Sequence, residues 1–169
     1  MTISFKQIEK EDLAKVLSLF KEAAEKINKK NVDHWQYWKN PPKEKVEWVA
    51  EGIANREFYF INTEQNENIG MVRILDEDIP YWGKQSEKAK YIHSLVIKER
   101  FNGKGLGATI IQKIENDSIK TNTEFLRLDA DAKNLGLCRY YEKIGFEKVG
   151  IKKTPLSTNN LYQKKLQTT

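Results

Sequence analysis

Apolar positions along the chain change period several times, and each change predicts an element. "ISFKQI" (3–8) alternates apolar and polar residues, the pattern of an edge strand. From Glu11 onward, Leu13, Val16, Leu17, Phe20, Ala24 and Ile27 recur at three- and four-residue steps, one face of an amphipathic helix. "NVDHWQYWKNPP" breaks that pattern, since Pro41-Pro42 forbids continuation, and a second helix is predicted from Lys43 to about Ala54. "EFYFINT" and "IGMVRIL" are β-branched and aromatic runs around the polar turn "EQNEN", which predicts a hairpin. "DEDIPYWGKQSEKA" reads as a loop, "YIHSLVI" as a buried strand and "GATIIQKIENDSIK" as a helix. "EFLRLDAD" is a strand, "NLGLCRYYEKI" a short helix, and "GFEKVGIKK" and "NNLYQKKL" the last two strands. Strands come before, between and after the helices. The expected class is therefore α/β (α+β): a mixed, mostly antiparallel sheet of about seven strands flanked by about four helices. No linker or repeat divides the chain, so residues 1–169 are expected to form one domain.

Composition narrows the setting. The chain is 39% hydrophobic and 31% charged, which suits a core under a heavily solvated surface. No apolar run approaches the roughly 18 residues that a bilayer requires, and "MTISFKQIEKEDL" lacks a secretion-signal layout. Cys138 is the single cysteine, so a reducing, cytoplasmic compartment is expected and no membrane partner. The net charge of +5 is spread over scattered lysines, and no helix-turn-helix, zinc or RNP signature accompanies it. A nucleic-acid partner is not expected; a basic nucleic-acid-binding module is the non-enzyme alternative. His34, His93 and Cys138 stand at unrelated spacings, so no metal site is expected either.

The clearest chemical signal is "KERFNGKGLGATII" (98–111), between a predicted strand and a predicted helix. Gly103, Gly105 and Gly107 let the backbone approach a ligand with its N–H groups outward, and a helix N-terminus behind them favours an anion. The same glycines could simply make a tight turn. A P-loop is excluded: "GFEKVGIK" comes nearest, but Ile151 occupies the lysine position and no helix follows. A dinucleotide-binding fold stays open as the enzyme alternative. "GKGLGA" fits its fingerprint and Asp129 ends a later strand, although "KERFN" separates the strand from Gly103.

"HSLVIKERFNGKGLGATII" resembles the acetyl-CoA motif of the GNAT superfamily of N-acetyltransferases: strand, pyrophosphate loop, helix. "LRLDADAKNLGLCRYYEKIGFEKVG" is similar to that family's next motif, with its spaced Asn, Tyr and Gly-Phe. Together these cover about the second half of the chain in the right order. One departure is Asn102, where the family usually has Arg or Gln.

The resemblance implies a GNAT-like fold and direct acetyl transfer from acetyl-CoA to a primary amine, with no metal. It implies that Asn102, Gly103, Lys104, Gly105, Gly107 and Ala108 face the pyrophosphate. Leu95, Val96 and Ile97 would lie along the thioester and pantetheine arm, with Val96 as backbone oxyanion donor, and Asn134 would bond that arm or simply cap a helix. Tyr141 matches the family's proton donor to the thiolate; adjacent Tyr140 points about 100° away around a helix. His93 falls where the arylalkylamine branch carries histidines proposed as bases, and could equally be a core or pocket-wall residue. Cys138 reads as a small core residue. The resemblance places the acceptor near "NVDHWQYWKNPP" and "DEDIPYWGKQ", which hold Trp35, Tyr37, Trp38, Tyr81, Trp82 and the acids Asp76, Glu77 and Asp78. Aromatic faces with carboxylates suit a small cationic amine. We take Trp35, Trp38, Asp76, Tyr81 and Trp82 as the candidate acceptor contacts, and a homodimer stays open.

Overall fold

A computed structural model of the chain describes residues 1–28 and 35–167. The elements are β1 (Ile3–Gln7), α1 (Leu13–Asn28), α2 (Lys43–Ala54), β2 (Phe58–Thr63), β3 (Asn68–Leu75), α3 (Ile79–Trp82), β4 (Ala89–Ile97), α4 (Leu106–Ile119), β5 (Phe125–Asp131), α5 (Leu135–Lys143), β6 (Glu147–Lys153) and β7 (Thr158–Lys165). The predicted strands and long helices all form. The expected four helices become five among the described residues, because α3 stands inside a stretch read as loop. At four residues it is too short to show a period, and Pro80 in its first turn is a helix-start signal rather than a breaker there.

The strands lie in the order β1-β2-β3-β4-β5-β7-β6, with β1 at an edge as its alternation predicts. The β1–β2, β2–β3, β5–β7 and β6–β7 ladders are antiparallel, and β4–β5 is parallel. That mixture ends the dinucleotide-fold alternative, which needs a doubly wound parallel sheet.

Contacts gather the chain into two compact units. One holds the chain up to Ile74 and Ser94–Gly107; the other holds Leu75–His93 and the chain from Ala108 onward. The breaks fall inside β3, β4 and α4 rather than in loops, which is why no linker signals them.

In the first unit, Val16, Phe20, Ala23 and Ala24 of α1 meet Val49 and Ile53 of α2 and Phe58, Phe60 and Met71 of the hairpin in one apolar core. The hairpin turn is built as its residues suggest: the Thr63 hydroxyl accepts from the Gln65 and Glu67 amides, and Asn66 takes a left-handed φ of 62°. β3 runs against the end of β4, where the Lys98 amide donates to the Ile69 carbonyl at 2.9 Å. A Cβ added at Gly70 would lie 1.9 Å from the Val96 carbonyl oxygen.

In the second unit the buried residues include Ile110, Ile111 and Ile114 of α4, Leu126, Leu128 and Ala130 of β5, and Phe146 and Tyr162. Arg127 is also buried, 1% exposed. It donates to the Tyr91 hydroxyl and to the Gln163 side-chain Oε1, both at 2.9 Å, and pairs with Glu87 at 3.3 Å. Aromatic faces of Trp82 and Phe125 cover the guanidinium at 5.1 and 5.0 Å. A buried cation with these partners is tolerated because its donors are met.

The contact at Gly70 is backbone to backbone and cannot relax by a rotamer change. Gly70→Ala should therefore cost about 3 kcal/mol, the upper end for overpacking, and lower Tm by several degrees. A thermal melt matching wild type would show that β3 and β4 do not approach this closely.

Candidate active site

Two parallel strands supply the site's central pair. The β4–β5 ladder matches Ala89–Tyr91 with Phe125–Arg127 and stops there, although β5 continues to Asp131. Tyr91 and Arg127 are the last matched pair, and their side chains bond across it. Two residues further along, alternation returns His93 and Asp129 to that same face. His93 Nδ1 lies 3.7 Å from Asp129 Oδ1.

The other side of the imidazole is met by Asp78, from the residue before α3. His93 Nε2 lies 2.7 Å from Asp78 Oδ2, and Asp78 is 5% exposed. Asp78 stands at the helix N-cap, yet its side chain makes no capping bond. The carboxylate is turned to His93 instead. An ionised carboxylate only accepts, so this contact places the ring proton on Nε2. α3 also brings the Tyr81 ring to 5.8 Å from the imidazole.

Asp129 feels this enclosure. Burial raises its pKa to about 6; the charge of Asp78 pushes the same way, while His93 opposes both. Tyr141 in α5 is half-buried against Phe146, Tyr162 and Tyr140, with ring centroids 5.9, 6.1 and 5.9 Å away. Burial, and secondarily the charge of Asp129, hold its hydroxyl well above the usual phenol range. Its phenol therefore stays protonated through neutral pH. The spacing to Gly-Phe has a structural cause: the Phe146 amide donates to the Tyr141 carbonyl at 3.0 Å, and Gly145 closes the helix with φ 103°. Asn134 caps α5, accepting from the Leu137 amide at 3.2 Å, so the helix-cap role that the sequence left open is met.

The glycine loop belongs to the first unit. Gly103 and Gly105 have φ of 73° and 70°, and a Cβ at either would meet nothing within 4 Å. Left-handed backbone, not crowding by protein, is what requires glycine there. Gly107 and Ala108 lie in the first turn of α4. Asn102 is exposed, and its Oδ1 accepts from Lys26 of α1 at 2.6 Å. The Lys104 ammonium sits 5.5 Å over the Phe101 ring. Leu95 and Ile97 are half-buried and Val96 is buried. Ser94, just before them, takes a left-handed φ of 51° that the sequence did not betray.

The expected acceptor contacts separate. Tyr81 joins His93, as described. Trp38 is a correction: it is 3% exposed and stacked on Phe20 with centroids 4.0 Å apart, so its faces are spent in the core. Trp35 packs edge-on against the same Phe20 at 5.7 Å. Asp76 pairs with Lys90 and borders a cavity of about 420 Å³ whose lining includes Glu77, Glu87 and Lys88. Trp82 packs edge-on against Tyr91 over Arg127, and its buried Nε1 has no hydrogen-bond partner. His34 lies outside the described residues.

The sequence treated His93 as an isolated histidine, and the structure corrects this: ligand atoms of Asp78, His93 and Asp129 lie within 4.8 Å of one another. The two carboxylates face opposite ring nitrogens. Asp78 and Asp129 were the residues that sequence reasoning missed in this role. A signal for Asp129 existed: Tyr-x-His in one strand matches Arg-x-Asp in the next.

Comparison with known proteins accords with this architecture. The model of the acetyltransferase (GNAT) family matches residues 18–146. An uncharacterized N-acetyltransferase of Bacillus subtilis, YesJ, is 29% identical over 104 residues, 59% of this chain and 58% of that protein. A GNAT-family acetyltransferase structure from Listeria monocytogenes superposes with a TM-score of 0.78 at 24% identity, covering 97% of this chain and 95% of the other. Aminoglycoside acetyltransferase AAC(6')-Ib, solved with coenzyme A and kanamycin, superposes with a TM-score of 0.72 at 20% identity and the same coverage. With its mixed seven-stranded sheet and a family match across most of its length, the chain belongs to the acetyltransferase (GNAT) family.

Proposed function

We propose that the chain works as one N-acetyltransferase domain, moving an acetyl group from acetyl-CoA directly to a primary amine of a small cationic molecule. The observation that carries this reading is His93 held between two carboxylates on β4, the strand that leads into the glycine loop. An imidazole there can take a proton, and carboxylates beside it favour a cation. Aminoglycoside and spermidine N-acetyltransferases among the structural neighbours support an amine acceptor by analogy.

Each chemical task has a candidate. Backbone donors at Gly103, Lys104, Gly105, Gly107 and Ala108, with the Asn102 amide, hold the pyrophosphate. Leu95, Val96 and Ile97 bind the thioester arm through main chain, with the Val96 N–H as oxyanion donor, and Asn134 bonds the pantetheine. The acceptor region keeps Trp35, Asp76, Tyr81 and Trp82, without Trp38. An alkyl ammonium, with pKa ~10, gives a proton to His93; the neutral amine attacks the thioester carbon, the C–S bond breaks, and Tyr141 protonates the departing thiolate. A reducing cytoplasm is the compartment that this reading favours. Screening polyamines, aryl-alkyl amines, amino sugars, amino acids and peptides for acetyl-CoA-dependent thiol release tests it, and no release from any amine would refute it.

Calorimetry should detect CoA binding, and Gly105→Val should abolish it, because valine resists the left-handed backbone; full affinity in that variant would remove the loop from the site. Tyr141→Phe should lower kcat by about 100-fold, the scale of general acid catalysis, with CoA affinity within about twofold. Unchanged turnover would take Tyr141 out of the reaction. Asp129 also leaves a mark on stability. Its native pKa of about 6 lies above the ordinary carboxylate value, so the native state binds the extra proton and loses stability as pH rises from about 4 to about 6. Asp129→Asn should then be the more stable protein at neutral pH by roughly 1–3 kcal/mol, with the advantage gone near pH 4. Chemical denaturation at the two pH values reads this directly, and equal stabilities at neutral pH would contradict the burial of the charge.

A further inference from the structure

We infer that Asp78 and Asp129 divide the handling of the acceptor amine: Asp78 fixes His93 with Nδ1 as the proton-accepting atom, and Asp129 seats the ammonium beside that atom. The inference rests on the acetyl-transfer reading for its chemistry, and on the geometry around one imidazole for its residues.

Asp78 has the features of a positioning residue. It is buried, its carboxylate lies 2.7 Å from Nε2, and it makes no capping bond to the helix it begins. With the Nε2 proton donated to Asp78, the neutral ring presents its lone pair at Nδ1. That nitrogen points toward Asp129.

The Asp129 contact differs in kind. At 3.7 Å, Nδ1 and Oδ1 are too far apart for a direct hydrogen bond, but an atom placed about 2.8–3.0 Å from both satisfies each. A primary ammonium has the donors to do so, giving one N–H to the Asp129 carboxylate and one to Nδ1. Proton transfer along the second bond leaves a neutral amine and an imidazolium, with Asp78 and Asp129 on its two sides. The amine lone pair then forms the N–C bond as the C–S bond breaks; Tyr141 protonates the thiolate and is restored by the second proton the nitrogen gives up, and the proton on His93 leaves to solvent before the next turnover. Neither carboxylate gains or loses a proton in the step, so it needs no further reactant. The Tyr81 ring, 5.8 Å from the imidazole, adds an aromatic wall beside the seat. Asp76, two residues earlier in the same acidic run, pairs with Lys90 instead of the imidazole.

The test is imidazole nitrogen NMR on the full chain labelled with ¹⁵N, with the His93 signals identified by their loss in His93→Gln. At a pH where the ring is neutral, the wild-type spectrum should show the Nε2–H tautomer. Asp78→Asn should convert it to a mixture and lower kcat by about 100-fold or more, as loss of a tautomer-fixing carboxylate does, while KM for acetyl-CoA holds. Asp129→Asn should keep the tautomer and raise KM about tenfold or more for the fastest-acetylated amine of the panel above. An Nδ1–H tautomer in wild type, an Asp78→Asn protein with wild-type tautomer and kcat, or an Asp129→Asn protein with wild-type amine KM would each overturn the assignment. The spectrum needs no turnover. A chain that acetylates no amine would end the transfer reading while the tautomer still decides the part of Asp78.

Discussion

The site depends on two parallel strands that stop pairing while both continue. Up to Tyr91 and Arg127, β4 and β5 satisfy each other's backbone, and the buried guanidinium bonded to the tyrosine hydroxyl closes that stretch. Beyond it the same alternation carries His93 and Asp129 onto the same face without a ladder between them. Side chains at the end of a ladder meet at distances set by the strands and not by their own flexibility. An imidazole and a carboxylate can therefore be held near each other, yet not so close that they simply bond. Arg127 matters here as an anchor: its contacts to Gln163, Glu87 and three aromatic rings fix the last matched level.

Function and stability pull against each other around His93. Burial disfavours charge on Asp129, and Asp78 adds a second negative group close by. At Arg127, by contrast, the buried charge is met by Glu87 and by the neutral groups of Gln163 and Tyr91. The pKa of Tyr141 is raised first by burial, and the charge of Asp129 adds to it, since a negative neighbour also opposes a phenolate.

Much of this was legible in the chain, and the exceptions have physical reasons. Long periodic segments such as 43–54 declared themselves, because an amphipathic helix repeats its apolar residues over several turns. The four-residue α3 could not, and with it went the placement of Asp78. In "DEDIPYW" three acids stand side by side, and only the short helix decides which one is buried. The sequence argument chose Asp76, which in the structure is paired with Lys90, and Asp78 two positions on takes the histidine. Trp38 misled for a related reason. An aromatic in a loop-like segment suits a cation, but Phe20 recruits it into the core of the first unit, and nothing local distinguishes the two fates. Gly103 and Gly105 were read correctly as glycines that the backbone needs, since their positive φ is a property of residue type.

Ser94 shows where such reading ends. A serine in the middle of a strand gives no hint of left-handed backbone, which costs a non-glycine residue about 1–2 kcal/mol. Two residues on, Val96 is seated against Gly70, where even a methyl group has no room. A strand bent at that residue presents its next amides differently from a regular ladder, and those amides belong to Leu95 and Val96. The glycine in β3 thus lies against the same stretch of main chain that carries those amides.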